Sequence, residues 1–120
     1  MGKVGYFEGT DSLVLAKLSA EGIKTVPISN AVDNHGRYVN HLTKGEVDVV
    51  VGYLHKVTAS DGINVKPSDI LHACTVHNIP VLLVAPAEVR EKARDLLDDV
   101  GPNISVVAPS EIESQIMKHL

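Results

Sequence analysis

Short apolar runs separated by polar turns give this chain its pattern, and most of the runs are too short to be helices. Five of them are rich in β-branched or other apolar residues, which predicts strands over 3–7, 23–28, 47–51, 79–85 and 104–107. The run Val47-Asp48-Val49-Val50-Val51 is the strongest. Its nearly continuous apolar character is typical of a strand buried on both faces of a parallel sheet.

Helical spacing of apolar residues fills most of the gaps between these strands. Five segments combine that spacing with capping or breaking residues, and they predict helices over 12–20, 37–43, 67–77, 86–100 and 109–120. Thr10 or Asp11 is the expected N-cap of the first helix, and Gly22 is its expected stop. The longest irregular stretch runs from Tyr53 to Lys66, a length typical of functional loops.

The alternation of five strands with five helices predicts parallel pairing through right-handed crossovers. We therefore expect a single α/β domain over 1–120, a three-layer sandwich around a doubly wound five-stranded parallel sheet of Rossmann/flavodoxin-like type. The expected strand order is 2-1-3-4-5. That order puts the switch point between the first and third strands and predicts a binding crevice where the loops after these two strands meet.

Composition narrows the classes of partner. The formal net charge is −4 at pH 7 and the basic residues are scattered singly, which argues against a nucleic-acid surface. No apolar run approaches the ~20 residues that span a bilayer. Cys74 is the single cysteine, so no internal disulfide can form. These features predict a soluble cytoplasmic protein that binds neither nucleic acid nor membrane.

The first predicted strand runs into Glu8-Gly9-Thr10-Asp11-Ser12, a polar turn in front of a helix. Such a turn presents backbone N–H groups and hydroxyls where anions bind, so these five residues are candidate ligand contacts. Capping of the helix is the alternative for the same residues. Glu8 is the least consistent with phosphate, because its carboxylate repels the ligand unless it holds a divalent metal or serves as a base.

A magnesium site is the alternative that Glu8 keeps open. A strand followed by Glu-Gly and then an Asp is similar to the Toprim magnesium site. That fold also needs an Asp-x-Asp sequence after a later strand, whereas Glu46-Val47-Asp48 lies before or within the third predicted strand. We therefore assign no metal and leave the cofactor unknown.

Basic residues near the predicted crevice are further candidates for binding an anion. Lys56 and Lys66 lie within and at the end of the long loop, where they could clamp a ligand, although single lysines in loops are usually only solvated. Arg37 is the one arginine near the crevice. Its planar guanidinium can donate two parallel hydrogen bonds to a carboxylate or a phosphate.

Four residues on the same loops, Asp33, His35, His55 and Asp61, are candidates for a general acid–base set. Histidine titrates near neutrality, and a neighbouring carboxylate would orient it. The alternative is a set of solvated loop residues. None of these residues has the sequence spacing of a metal site.

Four pieces of the chain, in this order and spacing, resemble the methylglyoxal-synthase-like domain over about residues 6–86. They are Glu8-Gly9-Thr10, Glu21-Gly22-Ile23 followed by Val26-Pro27-Ile28-Ser29, Lys44-Gly45-Glu46-Val47-Asp48-Val49-Val50-Val51, and Asn78-Ile79-Pro80-Val81. This domain occurs in methylglyoxal synthase and as the allosteric domain of carbamoyl-phosphate synthetase.

The resemblance implies that Gly9 and Thr10 form a phosphate-binding turn. It also implies anion contacts from Ser29, with Asn30 beside it, and from Lys56. The synthase places its catalytic carboxylate just after a glycine pair. Here that segment reads Asp33-Asn34-His35-Gly36, which keeps an acid but not the glycine pair, so synthase activity is not predicted.

Three functions follow from these observations. The first is a binding domain for a phosphorylated or carboxylated metabolite, a small anion. The second is a lyase or isomerase acting on a phosphorylated small molecule, with Asp33 or Glu8 as base and His35 or His55 as acid. The third is a homo-oligomeric interaction module without a ligand, associating through an apolar face of the last two helices.

Overall fold

Strands and helices alternate in the computed structural model, which describes residues 2–30, 36–57, 67–98 and 100–120. The strands are β1 (Lys3–Tyr6), β2 (Lys24–Ser29), β3 (Arg37–Tyr38), β4 (Val49–Tyr53), β5 (Val81–Val84) and β6 (Ile104–Val107). The helices are α1 (Ser12–Ala20), α2 (Pro67–Ile70), α3 (His72–Val76), α4 (Arg90–Leu97) and α5 (Ile112–Lys118). Short 3-10 helices cover Val39–His41, Leu54–Lys56, Ala87–Val89 and Pro109–Glu111. None of the described helices is long and apolar enough to cross a bilayer.

The six described strands belong to one parallel sheet, in the order β3-β2-β1-β4-β5-β6. The direction of strand addition reverses at β1, which lies between β2 and β4. The predicted order is confirmed, because 2-1-3-4-5 in the predicted numbering corresponds to β2-β1-β4-β5-β6.

Helices cover both faces of this sheet. On one face, α1 and α5 pack against alternate residues of the central strands, including Val4 and Val49. On the other face, α3 and α4 pack against the intervening residues, including Val50 and Leu83. Because the central strands are buried on both sides, they read as continuous apolar runs in the sequence. The predicted three-layer α/β sandwich of Rossmann/flavodoxin-like type is confirmed.

The sheet has six strands rather than the five predicted, because β3 lies where a helix was expected over 37–43. Arg37 and Tyr38 pair with the end of β2, and one 3-10 turn follows them. Within this segment only Val39 and Leu42 are fully buried. Two core contacts do not offset the cost of nucleating a helix in so short a segment.

The helix predicted over 67–77 is also divided, into α2 and α3 with a break at Leu71. The Asn40 side chain explains the break. Its Nδ2 donates to Asp69 O at 2.7 Å and its Oδ1 accepts from Ala73 N–H at 3.0 Å. In a continuous helix these two backbone groups would bond to each other. The Asn40 side chain therefore takes the place of one backbone hydrogen bond of the helix, and such an insertion is a known cause of kinks and breaks.

Left-handed residues end α1 and α3. Gly22 has a φ of 81° and Asn78 a φ of 53°. In each case the N–H of the following residue donates to the carbonyl five residues earlier, at 3.0 Å for α1 and 2.8 Å for α3. This Schellman arrangement satisfies carbonyls that the helix end would leave unpaired, and it turns the chain toward the next strand.

Phe7 and Gly52 hold the two central strands together at their carboxyl ends. Phe7 follows β1 and is fully buried, and its N–H donates to Val51 O at 3.0 Å. A Cβ built on Gly52 would lie 2.6 Å from Phe7 Cδ2, far inside contact distance. The aromatic ring therefore fills the space that any larger residue at position 52 would need.

Gly52→Ala should lower the free energy of unfolding by about 1–3 kcal/mol, because the added methyl group overpacks the core against the Phe7 ring. Urea denaturation followed by circular dichroism measures this change. Gly5→Ala is the matched control in the neighbouring strand, since a Cβ there would lie at an ordinary contact distance of 3.4 Å from its nearest neighbour. Equal losses in the two variants would contradict the packing explanation.

Candidate functional site

The loops that follow β1, β2 and β4 meet at the carboxyl edge of the sheet. Tyr6, at the end of β1, is opposite Pro27 on one side and Val51 on the other. The segments that these strands deliver are the turn over 7–10, the pair Ser29-Asn30 and the 3-10 helix Leu54–Lys56. They lie where the strand order reverses, the place at which the sequence predicted a binding crevice.

Lys56 reaches across this edge to the turn after β1. A Cβ placed on Gly9 would lie 3.8 Å from Lys56 Cε. The Asn30 Nδ2 donates to Lys56 O at 2.7 Å and so joins the loop of β2 to the loop of β4. The structure thus brings together residues that lie far apart in sequence. We call Gly9, Ser29, Asn30 and Lys56 the edge cluster.

Backbone donors of the turn are available beside the edge cluster. Gly9 has a left-handed φ of 86°, and the Thr10 N–H and hydroxyl both donate to Phe7 O, at 3.3 and 2.7 Å. Within the described part of the chain, no acceptor binds the N–H of Glu8 or of Gly9. These two N–H groups can donate to an anion, whereas the Thr10 hydroxyl proton is already used inside the turn.

Asp11 and Ser12 belong to the start of α1. The Asp11 Oδ1 accepts the N–H of Leu13 at 2.9 Å and caps the helix, the alternative that the sequence left open for this residue. Ser12 is the first residue of α1 and is exposed. Because the cap is itself a carboxylate, it weakens the binding of an anion at the start of α1, and a ligand contact from Ser12 stays a prediction.

Ser29 and Asn30 are the buried polar residues of the described chain, only 5% and 7% exposed. Burial of polar side chains costs free energy unless hydrogen bonds compensate it, and the Asn30 amide supplies one such bond to Lys56 O. The pair directly follows Ile28, which is fully buried in the core. The polar pair therefore marks the point at which β2 leaves the core and enters the candidate site.

His55 adjoins the edge cluster and stacks on Tyr53, with ring centroids 6.0 Å apart and an interplanar angle of 18°. Sequence reasoning did not single out Tyr53. The available signal was a tyrosine at the end of an otherwise aliphatic strand. The other three predicted catalytic residues, Asp33, His35 and Asp61, lie outside the described residues, so the acid–base set stays a prediction.

The Arg37 side chain forms hydrogen bonds with the segment that precedes β4. Its Nη2 donates to His41 O at 2.8 Å and to Glu46 Oε1 at 3.0 Å. Glu46 precedes β4 and so belongs to the amino edge of the sheet, opposite the edge cluster. The guanidinium is therefore directed away from Lys56, and anion binding by Arg37 stays a prediction.

The same Oε1 atom of Glu46 accepts two further hydrogen bonds. The Thr43 hydroxyl donates to it at 2.8 Å and the Thr43 N–H at 3.2 Å. The Thr43 hydroxyl bond, followed by the positive charge of Arg37, holds the pKa of the Glu46 carboxyl below its ordinary value of 4.5. This interaction fixes the turn that leads into β4.

The carboxylates of the magnesium alternative lie at opposite edges of the sheet. Glu8 is exposed and follows β1, whereas the Asp48 Oδ2 accepts the N–H of Lys3 at 2.8 Å where β1 begins. This separation is inconsistent with a Toprim-like arrangement of Glu8 with Glu46 and Asp48. No three His, Cys, Asp or Glu side chains among the described residues are grouped so that they could hold a metal.

Cys74 is a core residue and takes no part in the candidate site. It is fully buried between α3 and the sheet. Burial raises the pKa of its thiol to about 12, so the thiol stays protonated and is a poor nucleophile.

No family model matches the chain, and a search of curated proteins finds no significant match. The function is therefore inferred from the chemistry of the edge cluster. Its centre is Lys56, held against Gly9 and tied to Asn30.

Glu46→Gln should destabilise the fold at neutral pH and have less effect as the pH falls. A lowered pKa means that the folded state favours the charged carboxylate, so its contribution is complete above the unfolded value of 4.5 and is lost as the pH falls through the folded pKa. Urea denaturation of both proteins across this range measures the difference. In a Thr43→Val background the difference should shrink, because the Thr43 hydroxyl is the largest cause of the shift. A difference that grows on acidification would contradict this account.

Proposed function

We propose that this protein binds a small phosphorylated or carboxylated metabolite at the carboxyl edge of the sheet, between the turn after β1 and the loop after β4. The observation that carries the proposal is the position of the Lys56 side chain against Gly9, with the Lys56 carbonyl held by Asn30. An ammonium group, backbone N–H groups and a residue without a Cβ provide charge, donors and space for an anion.

The donor set suits a compact group with terminal oxygens. Lys56 supplies a point charge with three donors on a flexible stem. The N–H groups of Glu8 and Gly9 are adjacent in the chain, as in the backbone concavities that bind phosphate. The buried pair Ser29-Asn30 borders the same edge and is suited to the polar remainder of a metabolite.

Glu8 and Asp11 limit the charge of the ligand. Both are exposed and both adjoin the turn. Two like charges about 8 Å apart in water repel by only ~0.5 kcal/mol, so each carboxylate weakens anion binding without preventing it. A metabolite with one phosphate or carboxylate therefore fits this site better than a polyphosphate does.

A regulatory role, in the manner of methylglyoxal-synthase-like domains, is the form of the proposal that the sequence resemblance favours. In that form, Gly9 and Thr10 are the phosphate-binding turn, and Ser29 and Lys56 are further contacts. The grouping of Gly9, Ser29 and Lys56 at one edge supports it. The Thr10 hydroxyl, which donates to Phe7 O, would have to turn outward to donate to the anion.

Lys56→Gln should weaken the binding of inorganic phosphate about tenfold, because the variant loses a charge-assisted hydrogen bond. Isothermal titration calorimetry at low ionic strength measures the dissociation constants, and small phosphorylated and carboxylated metabolites serve as further probes. Lys24→Gln is the matched control, since Lys24 is exposed at the amino end of β2, far from the edge cluster. A wild-type protein that binds none of the probes, or equal weakening in both variants, would refute the proposal.

Glu8→Gln should strengthen the binding of inorganic phosphate about twofold, because it removes a repelling carboxylate from the turn. The same titration measures the effect, with and without magnesium. Glu21→Gln, which removes a carboxylate at the far end of α1, is the control and should change little. If Glu8 instead holds a divalent cation, the variant will lose magnesium-dependent phosphate binding, and the direct anion site would then be wrong.

A further inference from the structure

The sheet has an open edge at β6. This strand pairs with β5 on one side and with no described strand on the other. Beside it, α4 and α5 border a groove of about 860 Å³ that exposes the strand between them. The strand contains no proline and no charged residue, the usual devices that keep a sheet edge from pairing.

Ile104 and Val106 direct their backbone groups away from β5, and of the two only Val106 has both its N–H and its C=O without a described partner. The carbonyls of Asn103 and Val107 accept hydrogen bonds from β5, at 2.9 and 3.0 Å. By the alternation of a strand, the N–H and C=O of Val106 point away from β5. No described group bonds to them. The neighbouring outward N–H groups are used internally: Ile104 donates to Gly101 O at 3.4 Å and Ala108 to Glu111 Oε1 at 3.1 Å.

Four charged residues among those described line the groove: Arg90 and Glu111, which form an ion pair with each other, and Arg94 and Asp98 of the α4 segment. Arg90 lies at the carboxyl end of β6, because its Nη1 is 3.6 Å from the same Glu111 oxygen that accepts the Ala108 N–H. Asp98 follows the last residue of α4 and lines the groove toward the beginning of β6. The eight residues of α4 span ~12 Å and the four of β6 ~13 Å, so Arg90 and Asp98 mark the two ends of the strand.

We propose that a second copy of this chain occupies the groove and pairs its β6 with this one, antiparallel, about a two-fold axis at Val106. The two Val106 residues exchange both N–H···O bonds, as directly opposed residues do in a hydrogen-bonded antiparallel pair. The pairing joins the two sheets into one. An isologous contact needs a self-complementary surface, and the ends of α4 supply it.

Antiparallel pairing places opposite charges together. The rotation brings the carboxyl end of one β6 beside the beginning of the other, so Arg90 faces Asp98 of the second copy, and this happens twice. Because the outward N–H groups on either side of Val106 are already used, the described part of the strand offers one free outward N–H, that of Val106. A two-fold contact needs only one such residue on its axis, which favours a second copy over an extended peptide.

Sedimentation equilibrium and amide exchange test the contact directly. From micromolar to millimolar concentration, the wild type should shift from the chain mass of 12.8 kDa toward twice that mass. The Val106 amide should become protected over the same range, whereas the Gly9 amide, which is also unpaired within the described chain, should not. A monomer at every concentration, or a dimer in which Val106 exchange does not change, would overturn the proposal.

Charge reversal tests the register without depending on the fold of one variant. Arg90→Asp alone and Asp98→Arg alone each create two repelling pairs and should each weaken dimerisation about tenfold. An equal mixture of the two variants forms a heterodimer in which both pairs attract again, so it should regain wild-type affinity. A mixture no tighter than its components, in proteins that keep their thermal stability, would refute this pairing.

Discussion

The contact between Phe7 and Gly52 sets the geometry on which the candidate site depends. The ring is fully buried against the space that a side chain at 52 would occupy, at the point where the pairing of β1 with β4 ends at Tyr6 and Val51. The turn that begins at Phe7 then emerges directly beside the loop that follows Tyr53. The contact thus lies between the two strands that lead to Gly9 and to Lys56.

The strands of the sheet could be predicted from the sequence because strands buried on both faces are continuous apolar runs. Strands such as Val49–Tyr53 and Val81–Val84 are continuous apolar runs, and short links between them leave few topologies. The segment over 37–43 carried no such signal. Whether it forms an edge strand depends on the register offered by β2, and the division of α2 from α3 depends on the side chain of Asn40, 29 residues away from Asp69. Tertiary contacts decide both.

The candidate site was predictable to the level of its loops. The turn at Gly9 and the basic residue Lys56 could be placed at one edge, because parallel strands deliver their following loops to the same side. The hydrogen-bond partners of the individual side chains could not be predicted from the sequence. Arg37 has its guanidinium on Glu46, and Asp11 has its carboxylate on the N–H of Leu13; neither partner is marked in the sequence.

The hydrogen bond from Asn30 to the carbonyl of Lys56 also has a consequence for the entropy of binding. It fixes the backbone at Lys56 in the free protein, so the anion binding that we propose would not have to order that backbone. Immobilising a lysine side chain costs up to about 2 kcal/mol, whereas ordering a backbone residue as well would add ~1–2 kcal/mol more. The hydrogen bond from Asn30 therefore preorganises the backbone that carries the Lys56 ammonium group for the binding that we propose.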